Sequence, residues 1–342
     1  MLVASTLAAG VIATGLNTSL QRSDWQAQRD TLRSLHEAKL ALVAYALIED
    51  NTPGTLPCPT DRLDGKSGTC GSPATQGFGR LPWYFLGMMN GPGGTGNCLW
   101  YGLSAGHKNH GNVSQRGTTN YPAINPGTTG SLSLAQNDGN LVAAAVLLAP
   151  GSALGNQLRG TTGNNLCTDG TASEFLDSAN SIDNADGNTT YVGAPNDASF
   201  NDHAIAITEQ DIMRPLLRRI LTTFAPASVR SDLKSRIDMT STTGNLRQLR
   251  ELNGNTLAFD QFLLSGAPAT AANACPYNAD ATHPPLTTKH PVSWLCFNGW
   301  YEQISYESSG SDWSLSVGLP LPSTYRCKMN GSTGSINCGT NV

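Results

Sequence analysis

Hydrophobic and polar positions change regime along the chain. Residues Met1 to Leu20, MLVASTLAAGVIATGLNTSL, carry no charge, and the run has the ~20-residue length a helix needs to cross bilayer hydrocarbon. It is rich in Ala, Gly, Ser and Thr rather than Leu and Phe, which provides small faces for close helix packing, with Gly10 and Gly15 favouring such contacts. No basic segment precedes the apolar run, so a retained segment is expected rather than a secretory signal. From Arg22 the pattern turns amphipathic. Trp25, Leu32, Leu35, Ala38, Leu42 and Tyr45 recur at three- and four-residue steps, while Arg22, Asp24, Arg29, Asp30, Arg33, Glu37 and Lys39 fall largely on other faces. Breakers arrive only at Asn51, Pro53 and Gly54. One helix over residues 1–50 is predicted, ~75 Å long at the α-helical rise. Its first half needs a partner in lipid or in other copies of itself.

The body alternates short apolar runs with polar loops. Leu141 to Ala149, LVAAAVLLA, is expected as a buried strand ended by Pro150-Gly151, and His203 to Ile207 as a second strand. Thr208 with Asp211 three residues on forms a helix cap, and Pro215 predicts a kink or a fresh helix start before a helix through Leu216 to Phe224. Val229 to Met239 and Leu246 to Leu264 have helical spacing, and a Pro-, Ala- and Thr-rich linker covers residues 267–291. Trp294 to Glu307, Trp313 to Val317, Tyr325 to Met329 and Ser335 to Cys338 read as an antiparallel meander. Residues 107–138 and 160–200 are long Gly-, Asn- and Thr-rich loops. The fold class is α+β: a long N-terminal helix, half apolar and half amphipathic, on a loop-rich globular head with antiparallel β-sheet. Three regions are expected: 1–50, a filament-core or membrane helix; 51–225, the head with its long loops; and 226–342, a helical segment followed by the C-terminal meander.

Composition narrows the function classes. Only 13% of the 342 residues are charged and the formal net charge is -4, so no basic footprint marks a nucleic-acid partner. The 8 cysteines, Cys58, Cys70, Cys98, Cys167, Cys275, Cys296, Cys327 and Cys338, include no C-x-x-C pair, so zinc ribbons, thioredoxin-like sites and haem attachment lack their spacing. Disulfides in an oxidising compartment are the expectation. Cys58 with Cys70 and Cys327 with Cys338 each enclose a short polar turn and are expected to pair locally; the other pairings stay open.

Several motifs carry candidate chemistry. Gly102-Leu103-Ser104-Ala105-Gly106 matches the G-x-S-x-G nucleophile elbow after a strand-like Leu99-Trp100-Tyr101, but no helical pattern follows, so a small-residue turn is expected. His107 and His110 lack a third metal ligand at a recognisable spacing. Asp61 and Asp64, and Asp183 and Asp186, place carboxylates around tight turns; Asx-type turns are the expectation and calcium as a cofactor is the alternative. Gly65-Lys66-Ser67 has Thr60 where a P-loop requires glycine. Trp83, Tyr84, Phe85, Trp100 and Tyr101 are expected in core or subunit packing rather than in an exposed binding platform. The sequons at Asn112, Asn188 and Asn330 fit surface loops.

A charge-free half-helix, an amphipathic half and a head resemble the architecture of type IV pilins and type II secretion pseudopilins. Leu56-Pro57-Cys58-Pro59, Gly79-Arg80-Leu81-Pro82-Trp83, Leu86-Gly87, Gly96-Asn97, Leu99-Trp100-Tyr101 and Ala204-Ile205-Ala206-Ile207-Thr208 look like the pattern of large bacterial pilin-like proteins with prepilin-type N-termini. The resemblance extends over residues 1 to about 225. It implies that an inner-membrane prepilin peptidase removes a basic leader, with Met1 as the mature end. The chain then waits in the inner membrane before the pilus assembly machinery polymerises it into an extracellular filament. In that reading Leu2, Val3, Leu7, Val11, Ile12 and Leu16 pack helix against helix, the partner is the chain itself, and there is no enzymatic activity. Some pseudopilins also use calcium structurally. One departure is Ser5, where the major pilins carry a glutamate that offsets the N-terminal amine. A repeating shaft subunit is the expectation; a minor tip pilin or adhesin is the alternative, and a membrane-tethered hydrolase using Ser104 the second.

Overall fold

The computed structural model describes residues 2–49, 52–72, 74–88, 98–109, 123–155, 157, 159, 170–193, 199–238, 241–246, 295, 298–320 and 322–340, with only the backbone described at 2–24, 232 and 236. Helix α1, Leu2–Ile48, is continuous over 47 residues, or ~70 Å at 1.5 Å per residue. The side chains of Leu2, Val3, Leu7, Val11, Ile12 and Leu16 lie outside the described residues. From Thr31 onward one stripe goes inward: Leu35, Ala38, Leu42 and Ala46 are fully buried at steps of three and four, the spacing that keeps a helix face aligned. Two small alanines in that stripe let the helix axis approach the sheet closely.

The sheet beneath α1 runs in the order β1 (Gly77–Arg80), β2 (Trp100–Leu103), β5 (Ala145–Ala149), β9 (His203–Ile207), antiparallel throughout. Period-two alternation splits its side chains. Tyr101, Leu103, Ala145, Leu147 and Ile207 join the α1 stripe in one core. Trp100, Val146 and Leu148 face the other way. They meet Leu132, Leu134, Ala143, Phe175 and Tyr191, the last on or beside a second sheet of order β4 (Gly139–Ala143), β3 (Leu132–Gln136), β8 (Thr190–Val192). A small ribbon, β6 (Ser178–Ala179) with β7 (Ile182–Asp183), completes this outer lobe. The layers are therefore helix, sheet, sheet.

The run Leu141 to Ala149, expected as one strand, is two. It breaks at Ala144, whose N–H donates to Ile207 O at 2.8 Å and whose carbonyl accepts from Ser104 N at 2.9 Å. The chain crosses there from the outer sheet to the inner one, and burial of every residue from Ala143 to Ala149 hides the crossing from a hydropathy pattern.

Two helices follow, α2 (Glu209–Thr223) and α3 (Ala227–Ile237), with a five-stranded antiparallel meander β10 (Thr243–Asn245), β11 (Ser305–Ser309), β12 (Asp312–Gly318), β13 (Arg326–Asn330), β14 (Ile336–Gly339). Thr208 and Asp211 form the expected capping box. Pro215 sits inside α2 without ending it; its missing N–H removes one helical donor, and burial of Met213, Leu216 and Leu217 offsets that cost. The segment expected to begin the meander at Trp294 instead carries a helical turn, Trp300–Gln303, after the left-handed Gly299. Consecutive Trp300 and Tyr301 both enter the same core, whereas in a strand they would point to opposite faces. The expected helix Leu246 to Leu264 and the linker 267–291 lie outside the described residues from 247 onward.

Helix α2 joins the two cores. Ile212 packs into the core beneath α1, while Met213, Leu216, Leu217, Ile220 and Leu221 pack against Trp313, Leu315, Val317 and Met329 of the meander. Lys39 Nζ on α1 donates to Asp211 Oδ2 at 2.8 Å and to Ala206 O at 3.0 Å. Arg219 on α2 donates to the carbonyls of Leu47 and Glu49, supplying positive charge to the carboxyl end of α1 where the helix leaves acceptors open. Among the described residues no helix is long and apolar enough to cross a membrane.

Candidate functional site

Ser104 follows β2 and precedes a three-residue 3-10 turn, Ala105–His107. Its side chain is fully buried. The hydroxyl lies 3.0 Å from Ser131 Oγ and accepts from Ser131 N at 2.9 Å. Beside it opens a pocket of about 400 Å³ lined by Ser104, Gly106, Asn125, Thr128, Thr129 and Ser131. The lining is locally tied: Asn125 Oδ1 accepts from Gly127 N at 2.8 Å and Thr128 Oγ1 donates to Ala123 O at 2.8 Å. A serine nucleophile needs a base within hydrogen-bond reach, and both described partners of this hydroxyl are on Ser131. His107 is buried on the same turn; His110 lies outside the described residues.

The cysteines brace the head. Cys58 pairs with Cys70 and Cys327 with Cys338, the two local pairs expected. Cys98 is also disulfide-bonded, and Cys167, Cys275 and Cys296 lie outside the described residues. The loop closed by Cys58 and Cys70 is pinned by Lys108, which is 1% exposed and whose Nζ donates to Cys70 O at 2.7 Å and Ser72 O at 3.0 Å. Burial pushes the Lys108 pKa down. Gly65 in that loop has φ +68, and a Cβ there would fall on the Trp83 ring. The aromatics divide accordingly. Trp100 and Tyr101 are buried in the core, whereas Tyr84 and Phe85 are 62% and 47% exposed in the single chain; Phe85 leans on Tyr45 of α1 with ring centroids 5.5 Å apart.

The four candidate calcium carboxylates, Asp61, Asp64, Asp183 and Asp186, are all exposed. Asp64 Oδ1 accepts from Arg62 Nε at 2.9 Å and Lys66 N at 3.2 Å, and the Arg62 hydrogen bond holds its carboxyl below the usual range. Asp61 gives its backbone carbonyl to Arg80 at 3.1 Å. Asp183 Oδ1 accepts from Ala185 N at 2.9 Å and Asp186 Oδ1 from Asn188 N at 2.8 Å, the geometry of Asx turns. Among the described residues no group of three or more His, Cys, Asp or Glu side chains is placed to hold a metal ion.

No family model, curated protein or solved structure matches this chain. The residues themselves therefore carry the functional argument.

Sequence reasoning missed one polar cluster. Asp177, Asn184 and Asp202 are 7%, 0% and 1% exposed and meet beneath the outer lobe. Asp202 Oδ2 accepts from Asp177 N at 2.8 Å and Asn184 Nδ2 at 3.2 Å. Asp177 in turn accepts from Gln157 Nε2 at 2.7 Å and Asn201 N at 2.9 Å. Asn184 is fixed to Val192 through both of its polar atoms, at 2.9 and 3.0 Å. These residues stand in polar stretches that read only as loops, at spacings that match no motif.

Proposed function

We propose that this chain is a structural subunit of an extracellular, type IV pilus-like filament, assembled through its N-terminal helix. The observation that carries the reading is α1: one unbroken helix of 47 residues, held to the head by Leu35, Ala38, Leu42 and Ala46 and preceded on the same helix by a stretch, residues 2–20, with no charge. At the α-helical rise Leu2 is ~43 Å along the axis from Thr31, beyond the reach of contacts made by the stripe. A helix this long and uncharged at one end acquires a purpose when neighbouring copies bundle around it. Disulfides at Cys58–Cys70 and Cys327–Cys338 fit a head that works in an oxidising exterior.

In this reading the partners are further copies of the chain, the inner-membrane assembly machinery and prepilin peptidase. The chain rests in the inner membrane before assembly, and nucleic acid has no part. The head is a wall rather than an enzyme, with Leu2, Val3, Leu7, Val11, Ile12 and Leu16 carrying the packing at the filament axis. A tip-located adhesin is the second reading, favoured by the exposed Tyr84 and Phe85 and by Ser5. Cryo-electron microscopy of material sheared from cells tests both. Continuous shafts built of this chain with residues 1–50 at the axis support the first; its presence only at filament ends supports the second. Val11→Glu should abolish filaments while leaving the head folded, because a charge in an apolar bundle costs several kcal/mol (~3 or more). Unchanged filaments in that variant would overturn the assembly role.

A further inference from the structure

We propose that the buried Asp177–Asp202 cluster is a proton-binding site that fastens the outer lobe to the inner sheet, with Asp202 holding the proton. The geometry begins with two carboxylates taken out of water side by side. Each oxygen of Asp177 has a donor, from Gln157 Nε2 and Asn201 N. Among the described residues Asp202 has donors on Oδ2 alone, and its buried Oδ1 has no hydrogen-bond partner there. An ionised carboxylate with one buried oxygen lacking a donor is costly, and protonation removes a charge that the donors on Oδ2 balance only in part.

The charged and titratable groups around it do not supply the missing compensation. Arg159, from the loop after β5, is the cation that acts on both carboxylates through space. Its N–H groups go instead to the carbonyls of Gly151, Glu174 and Phe175 and to Gln157 Oε1. Asp177, ahead of β6, adds like charge. His203 begins β9 next in the chain and is half-buried, and burial pushes its pKa down, away from the cationic form. Burial first, then the Asp177 charge, raise the Asp202 carboxyl from 3.8 to about 7 against its hydrogen bonds and Arg159.

The residues that meet here belong to otherwise separate pieces of the fold: Gln157 and Arg159 after β5, Asp177 before the β6–β7 ribbon, Asn184 between that ribbon and β8, and Asp202 at the entrance to β9. Loosening the cluster therefore frees the ribbon and β8 from the inner sheet. The sign follows from linkage. Below the ordinary carboxylate value of 3.8 Asp202 is protonated whether the lobe is closed or open. Between there and about 7 the closed lobe keeps a proton that the open one has lost, so closure weakens as pH rises. Above about 7 both forms are ionised and the weakening is complete.

Hydrogen exchange on the full chain, read by mass spectrometry over peptides spanning residues 177–203 and corrected for intrinsic exchange, tests this. Protection should fall by up to about tenfold per pH unit between pH 5 and 7, the slope of one proton. Asp202→Asn should flatten that dependence and raise protection at pH 8. A flat wild-type profile, or the same slope in Asp202→Asn, would overturn the proposal. Should the variant fail to fold, infrared spectroscopy of the wild-type protein reads the same site: a protonated-carboxyl C=O band should bleach near pH 7, and its absence at pH 5 would be equally fatal.

Discussion

Lys39 does two jobs with one ammonium group. It neutralises Asp211, the third residue of α2, and it takes the Ala206 carbonyl at the end of β9, so α1, β9 and α2 share one polar contact. Both side chains of the pair are about three-quarters covered, at 26% and 30% exposure, which shields the interaction from the screening that makes surface pairs weak. Replacing Lys39 by Met keeps the stem and removes the charge. The expected cost is about 1–2 kcal/mol in urea denaturation at pH 7. Burial raises the Asp211 carboxyl, but the hydrogen bonds from Lys39 and Thr208 outweigh it and the net pKa is lowered. A lowered carboxylate stabilises the fold above its ordinary range and ceases to do so as pH falls through the folded value. The gap between wild type and Lys39→Met should therefore narrow as pH drops below 3.8; a gap that stays constant in acid would locate the loss in packing of the stem instead.

At the scale of elements, the meander depends on one cross-strand bond. Cys327 and Cys338 are directly opposite in the β13–β14 register, Cys327 is fully buried against α2's core, and β14 is the outermost strand. Closing a loop of 11 residues contributes ~3 kcal/mol by restricting the unfolded chain. Paired Cys327→Ala and Cys338→Ala substitutions should lower stability by about 2–3 kcal/mol and selectively raise hydrogen exchange in residues 326–339; uniform loss across the molecule would assign the bond a global role. Strands β12, β13 and β14 were legible in the sequence because each alternates, as in Trp313, Leu315 and Val317, whereas β10, Thr-Gly-Asn, carries no apolar alternation and went unread. Strand β9, the α2 cap and the α1 stripe at Leu35, Ala38 and Leu42 were legible as local signals, whereas Trp25 and Leu32, expected on the same stripe, are 67% and 41% exposed. Three further features were not legible. The crossing at Ala144 is hidden in uniform burial. The helical turn at Trp300 is selected by Gly299 and by an indole that donates to Ile124 O at 2.7 Å. The continuity of α2 through Pro215 depends on a core assembled from distant strands.

Across the whole molecule the same distinction separates what sequence reveals about sites. The G-x-S-x-G at Ser104 was visible as a string, and its buried hydroxyl is engaged by Ser131. The Asp177–Asp202 cluster was invisible because folding alone brings together residues from four loops. Helix α2 raises a matching question about how the parts cohere, since its Ile212 serves the core under α1 while its next residues serve the meander. If α2 is a shared wall, damage on one side must be felt on the other. Leu217→Ala removes a fully buried side chain on the meander side at an expected cost of about 2–5 kcal/mol. Denaturant-dependent hydrogen exchange then compares residues 312–330 with residues 145–149 of the inner sheet. Equal drops in opening free energy are expected, because the meander cannot open without withdrawing α2, and with it Ile212 and the Asp211 contact, from beneath α1. A drop confined to 312–330 would instead make the meander a separately unfolding unit, able to yield while the helix and inner sheet hold.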